Sequence, residues 1–260
     1  MNQPSDGGQV DPDVITRRAA SFGSQAASYA AHRPDYPQAA VSWALEPVRD
    51  HPGLRVLDLG AGTGKLTANL ADLGVDVVAV EPDPEMLAEF RLALPQVMLL
   101  PGSAERIPLP DASVDAVMVG QALHWFDFER AIPEMVRVLR SGGVLAGLWN
   151  LTDDRVSWVA GIGELHGGAP TVSAWQIQDI PGLDLSFTPL EHDQFSHTHR
   201  RTAESLVATV STYSHLLVLD EAERVAVLDR LHAKLLALPQ TGAGEFDFPL
   251  VTAVMRAIRT

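Results

Sequence analysis

The feature that most limits how this chain can fold is the run VLDLGAGTGKLT at residues 56–67, an apolar stretch interrupted by Asp58 and followed by glycines at 60, 62 and 64. A short, Val- and Leu-rich stretch of this kind reads as a strand buried on both faces. Three glycines directly behind such a strand mark a turn where a ligand must come close to the backbone.

The surrounding sequence repeats the strand half of that pattern. LRVLDLG, VDVVAVE, VMLL, SVDAVMVG and VLAGLWN fall between residues 54 and 150, short and apolar, and the segments between them have helical spacing. Over 127–139, Phe128, Ala131, Ile132, Met135, Val136 and Leu139 recur at three and four, and SGG at 141–143 ends the helix. A second helix starts near Pro84 and buries Met86, Leu87, Phe90 and Leu94. Alternating β and α elements imply a doubly wound, mostly parallel sheet with right-handed crossovers, and ligands at the carboxyl ends of its strands.

Four stretches organise the chain. Residues 1–12 are expected to be disordered, 13–48 to form an N-terminal helical arm broken at HRPDYP, 49–150 to form the α/β core, and 151–260 to supply a helical lid and closing strands of the same domain. Helices over 202–216 and 221–238 are flanked by strand-like segments near 190–198 and 246–258, which close one edge of the sheet as an antiparallel hairpin. Val225, Leu228, Leu231, Leu235 and Leu238 lie along one side of the second of these helices. The expected fold class is α/β, Rossmann-like, with seven strands, the arm and the lid.

Composition narrows the partners. The 260 residues are 46% apolar and 20% charged with a net charge of −14, so a general nucleic-acid or anionic-membrane surface, which needs a basic stripe, is not expected. No cysteine is present, which removes disulfides, thiolate catalysis and cysteine-bound metals. The start lacks a secretion signal and no window reaches the ~20 apolar residues that span a bilayer, so a cytoplasmic protein is expected. The sequence leaves the oligomeric state open.

Spacing decides what the glycines serve. A phosphate-binding P-loop needs glycine at 59 and Ser or Thr at 66, and both positions are leucine. The dinucleotide fingerprint needs a third glycine at 65, where Lys65 stands, although Glu81 at the end of the second strand suits a ribose. A Tyr-x-x-x-Lys pair is absent as well. What remains is acid-x-Gly-x-Gly-x-Gly: Asp58, Gly60, Gly62 and Gly64.

That pattern resembles the first motif of the class I S-adenosylmethionine-dependent methyltransferases. VVAVEPDPEML is similar to the family's second motif, GSAERIPLPDASVDAV to its adenine-contact motif, and RVLRSGGVLA to the turn before its fifth strand. The resemblance implies S-adenosyl-L-methionine as cofactor and a small-molecule methyl acceptor. It implies cofactor contacts from Asp58, Gly60, Ala61, Gly62 and Gly64, with Glu81 accepting from both ribose hydroxyls and Pro82 and Met86 near the adenine. Ser103, Ala104 and Glu105 occupy the adenine motif, with Ser103 where the family often has Asp. FGSQAASYAAHRPDYP and GQALHWFD are similar to a narrower methyltransferase type 11 group that includes trans-aconitate methyltransferase. There Tyr29, Arg33 and Tyr36 would close the site, and Gln121, His124 and Trp125 would line it.

The resemblance implies methyl transfer to a small molecule, at a carboxylate or hydroxyl oxygen, with His124, Tyr36 and Arg33 as catalytic candidates, His124 and Trp125 facing substrate, and no metal. A nicotinamide-dependent reductase and a non-catalytic cofactor-binding protein are the alternatives. His197 and His199 share a strand face in HDQFSHTHRRT but lack a third metal ligand, so that stretch reads as a solvated strand edge. Arg200 and Arg201 beside them offer charge to an acidic substrate.

Overall fold

Parallel strands covered on both faces should bury nearly every residue, and the first strand does so. In the computed structural model, which describes residues 26–167, 170–176 and 180–260, strand β1 spans Arg55–Leu59 and is buried from Val56 onward. The expected disorder of residues 1–12 lies outside the described residues. Further strands are β2 (Asp76–Glu81), β3 (Met98–Pro101), β4 (Val114–Gly120), β5 (Leu139–Thr152), β6 (Glu191–Arg201) and β7 (Phe246–Ile258). They form one seven-stranded sheet in the order β3-β2-β1-β4-β5-β7-β6. β7 runs antiparallel to both β5 and β6, which gives the edge hairpin expected from the sequence.

The helices follow from their apolar stripes. The arm contributes α1 (Ala26–His32) and α2 (Gln38–Leu45), and the crossovers contribute α3 (Lys65–Asp72), α4 (Pro84–Ala93) and α5 (Phe128–Val138). Ala40, Val41 and Ala44 of α2 and Leu66 and Leu70 of α3 pack on one face of the sheet against Val56, Met118, Ala146 and Val254. Ala131, Ile132 and Met135 of α5 cover the opposite face over Leu57, Leu59, Val117 and Val119. A third cluster joins α6 (Ser157–His166), α7 (Ala203–Ser211) and α9 (Glu221–Ala237) to Phe246, Phe248 and Leu250 of β7, and the short α8 (Ser214–Leu217) adds Leu216 to it.

Three details depart from the sequence reading. β3 is an outer strand rather than one buried on both faces, and Met98 is 54% exposed. β5 starts at Leu139 instead of after the glycines, because Leu139 pairs with Val114 before a register shift between Val114 and Ala116 absorbs the Gly-Gly turn. Val225 is left exposed on α9, where only Leu231 and Leu235 are fully covered.

Strand order reverses between β1 and β4, so the turns after those strands diverge and leave a crevice at their carboxyl ends.

Candidate functional site

The glycine turn between β1 and α3 forms the floor of that crevice. Gly60, Gly62 and Gly64 have φ of +71°, +55° and +90°, the left-handed region that side chains disfavour. Their surroundings separate their roles. A Cβ on Gly60 would stand 2.8 Å from the Ala122 Cβ, and one on Gly64 would stand 2.8 Å from Leu94, so both are packed by protein. A Cβ on Gly62 would meet nothing within 4 Å.

The space in front of Gly62 is a crevice of about 170 Å³ lined by Gly60, Gly62, Glu81, Pro82, Asp83, Met86, Gly120, Gln121, Ala122, Trp125 and Phe126. Three loops build it, after β1, β2 and β4. Glu81 ties two of them together: the Gly62 N–H donates to Oε2 at 2.8 Å and the Asp83 N–H to Oε1 at 2.9 Å. Asp83 caps α4 by accepting from the Glu85 and Met86 N–H groups at 2.8 and 3.0 Å. Gln121 has φ +56°, a strained value for a side-chain residue, and is held there by its N–H to Leu148 O at 2.9 Å and its amide to Asn150 O at 3.0 Å.

A family model described as a methyltransferase domain matches residues 57–147, which contain this crevice. An uncharacterized methyltransferase of Mycobacterium tuberculosis is 44% identical over 240 residues, spanning 91% of this chain and 95% of that protein. The chain belongs to the S-adenosylmethionine-dependent methyltransferases. A malonyl-[acyl-carrier protein] O-methyltransferase of Pectobacterium atrosepticum is 39% identical over 97 residues, 37% of this chain and 38% of that one. Among solved structures, a protein of Anaeromyxobacter dehalogenans described as a type II methyltransferase superposes with a TM-score of 0.64 at 27% identity, covering 87% of this chain and 97% of that one.

The residues of this methyltransferase fit its cofactor. Beyond the opening at Gly62, two buried acids favour a cationic ligand, Glu81 from the lining and Asp58 from behind the floor. Asp58 is 1% exposed; the Thr67 hydroxyl donates to its Oδ2 at 2.5 Å, while its Oδ1 has no hydrogen-bond partner. Burial, with a smaller push from Glu81, raises the Asp58 pKa from 3.8 to about 7. Burial also raises that of Glu81, against the two N–H groups that favour its charge. An ammonium or sulfonium nearby would reverse these shifts.

The sign of the Asp58 effect on stability follows from linkage. The folded chain retains a proton that the unfolded chain loses, so the contribution is complete below pH 3.8, declines as pH rises toward about 7 and is lost above it. Its full size is about 4 kcal/mol at roughly 1.4 kcal/mol per unit. Thermal unfolding of the wild type and Asp58→Asn without ligand, compared from pH 4 to 8, should show the wild type losing ground to the variant as pH rises. A gap that does not change with pH would remove Asp58 from that titration.

The structure brings together at the crevice Gly60, Gly62, Glu81, Pro82, Met86, Gln121 and Trp125 of the residues expected from the sequence. Ala61, Gly64 and Asp58 stand behind its floor, within the turn and strand that shape it. Ser103, Ala104 and Glu105 lie outside the lining: Ala104 is buried, Ser103 bridges to Arg106, and Glu105 accepts the Asp127 N–H at 3.1 Å. Tyr36 is buried beneath the wall, its hydroxyl 2.6 Å from where a Gly120 Cβ would be. Arg33 is turned to the C-terminal end of α7, where its Nε donates to Thr212 Oγ1 at 3.1 Å and its guanidinium lies 4.6 Å over the Tyr213 ring. Tyr29 sits on α1, and its side chain lies outside the described residues.

His124 packs against Trp125 with ring centroids 4.6 Å apart. Solvent reaches the ring, yet the recess around it is crowded with protein, and that desolvation draws its pKa down toward about 4. Solvent in the recess works against the shift; its direction keeps the imidazole neutral at pH 7.

Sequence reasoning missed Asp83, Gly120, Ala122 and Phe126. The Asp-Pro pair at 83–84, a cap followed by proline at the first helical position, was the available signal for Asp83. Among the described residues no group of His, Asp or Glu is placed to hold a metal, and no helix is long and apolar enough to cross a membrane.

Proposed function

We propose that this methyltransferase acts on a small organic molecule and places the methyl group on an oxygen, either a hydroxyl or a carboxylate. The observation that carries this reading is the packing of His124 on Trp125 where that indole enters the crevice wall, with desolvation lowering the imidazole's pKa from its ordinary range. A neutral imidazole can take the proton of a hydroxyl or donate to a carboxylate oxygen. The O-methyltransferase of Pectobacterium atrosepticum lends support from the cofactor half of the chain alone.

When bound, S-adenosylmethionine supplies an already activated methyl group. What remains for the protein is to hold, orient and exclude water. In this reading Gly62 leaves room for the ribose and methionine portions, Glu81 accepts from the ribose hydroxyls, and Met86 and Pro82 pack beside the base. Trp125 orients the acceptor through its aromatic face. Tyr36 supports the wall from below, and Arg33 anchors the arm to the lid by its bonds to Thr212.

The test is incubation of the purified chain with methyl-labelled S-adenosylmethionine and a panel of phenols, aliphatic alcohols and carboxylic acids, with products resolved by mass spectrometry. An O-methyl ether or ester is expected; label found only on nitrogen or carbon would overturn the reading. With the acceptor in hand, His124→Ala should lower kcat by about 10²-fold or more if His124 accepts a proton. Because desolvation holds the imidazole below its ordinary 6.5, against the solvent that reaches it, wild-type activity should stay level from pH 7 to 8 and fall on acidification below that range. An unchanged kcat in the variant would leave His124 as packing for Trp125.

A further inference from the structure

Two arginines are buried among the described residues, and they are answered very differently. Arg256, 9% exposed, meets Glu191 at 2.7 Å and Glu46 at 3.3 Å and lies 4.1 Å over the Trp43 ring. Arg201, 6% exposed, has no carboxylate of the described residues within hydrogen-bond or ion-pair distance. Only Tyr213 and Asp35 favour its charge from farther off, and burial lowers its pKa. Asp35 is itself taken by Lys65 at 3.1 Å. On the opposite face of β6, the exposed Arg200 nevertheless holds two acids, Glu245 at 3.3 Å and Asp247 at 3.2 Å. A buried cation without a partner is costly, so stability alone gives no reason to distribute the acids this way. The sequence reading of a solvated strand edge therefore fails at Arg201.

A second group on the same strand face points the same way. His199, two residues before Arg201, has a buried Nδ1 without a hydrogen-bond partner, and it lies within electrostatic reach of Arg201, Asp35, Lys65 and His197. The face is wired to the crevice. His197 Nε2 meets the Thr252 hydroxyl at 3.0 Å, that hydroxyl donates to Asn150 Oδ1 at 2.5 Å, and the Asn150 carbonyl accepts from Gln121 at 3.0 Å. Gln121 belongs to the crevice lining.

We propose that Arg201 and His199 form an anion subsite that holds a carboxylate of the methyl acceptor, at a distance from the oxygen that receives the methyl group. The proposal rests on the reading of the protein as a small-molecule methyltransferase and narrows its substrates to those bearing an acidic group. A planar carboxylate matches the guanidinium fork and balances its single charge; the imidazole supplies one more donor. A doubly charged phosphate would leave a charge unmatched in a buried place.

Calorimetric titration of propionate, succinate, benzoate and inorganic phosphate into the full chain saturated with S-adenosylhomocysteine tests this. At least one carboxylate should bind more tightly than phosphate, and Arg201→Gln should weaken it tenfold or more, with a smaller loss in Arg201→Lys. Affinity for S-adenosylhomocysteine should be equal in wild type and variants, which also certifies their folding. Arg201→Met, measured without ligand, should raise Tm by about 2–4 °C, since it removes an unpaired buried charge; a residue that merely props the lid would give a fall. Carboxylate binding equal in wild type and Arg201→Gln would overturn the subsite, as would tighter binding of phosphate. Failure of every carboxylate to bind while S-adenosylhomocysteine binds would do the same and leave the cofactor site standing. Failure of S-adenosylhomocysteine itself to bind the wild type would take down the cofactor reading and this subsite with it.

Discussion

Replacing Gly62 with valine is expected to abolish binding of S-adenosylhomocysteine while the chain still folds. Both halves of that expectation come from what surrounds the position. A Cβ built on Gly62 finds no atom within 4 Å, so the position is open in the folded protein. Gly62 lines the crevice, so a side chain added there competes with a ligand for that space. The backbone cost is the left-handed φ of +55°, about 1–2 kcal/mol for a side-chain residue, which a chain of this size survives. Gly60→Ala supplies the contrast, because its methyl would press on the Ala122 Cβ at 2.8 Å and strain the folded state directly. Calorimetry with S-adenosylhomocysteine, paired with thermal unfolding, separates the two: Gly62→Val should lose the heat of binding with a small fall in Tm, and Gly60→Ala should show the larger fall. Retained binding in Gly62→Val would mean that the ligand lies elsewhere.

Much of the fold was legible because parallel strands leave a blunt signature. β1, β2 and β4 are covered on both sides, so their sequences are nearly continuous apolar runs. The hairpin of β6 and β7 was legible for a different reason: its strands flank a helical pair and cannot join the parallel repeat. The errors have physical causes. Leu139 reads as the last position of a helical stripe, yet it is a strand residue, because the register shift after Val114 lets the ladder begin before the glycines. Val225 keeps the helical spacing but lies beyond the reach of the sheet, so periodicity marks a stripe without saying how far along the helix a partner extends.

The candidate site was legible where one loop carries it and illegible where loops meet. Gly60, Gly62 and Glu81 announce themselves through spacing, but Ala122 and Phe126 enter the lining only because the turn after β4 folds back over Gly60. Arg201 shows the same limit. Alternation along β6 assigns a face but not a depth, and Arg201 is buried because the capping box at Thr202 and Ser205 turns the chain into α7 immediately after it.

Glu81→Ala is expected to weaken S-adenosylhomocysteine binding by about 1–3 kcal/mol, roughly fivefold to 150-fold, the range for buried donors that lose a charged acceptor. The same change should lower Tm, because the carboxylate builds the crevice before it binds anything. Its two oxygens accept from Gly62 and Asp83, and without them the glycine turn and the cap of α4 are no longer joined. A carboxylate has about four acceptor sites and two are taken by the backbone, so two remain for ribose hydroxyls without dismantling the turn. Glu81→Gln distinguishes builder from binder. Its carbonyl can keep one N–H while its amide group faces the other as a second donor, so affinity and Tm should both fall between wild type and alanine. An unchanged dissociation constant in Glu81→Ala, with a lowered Tm, would leave the residue as a structural tie alone and move the ribose acceptor to another group in the wall.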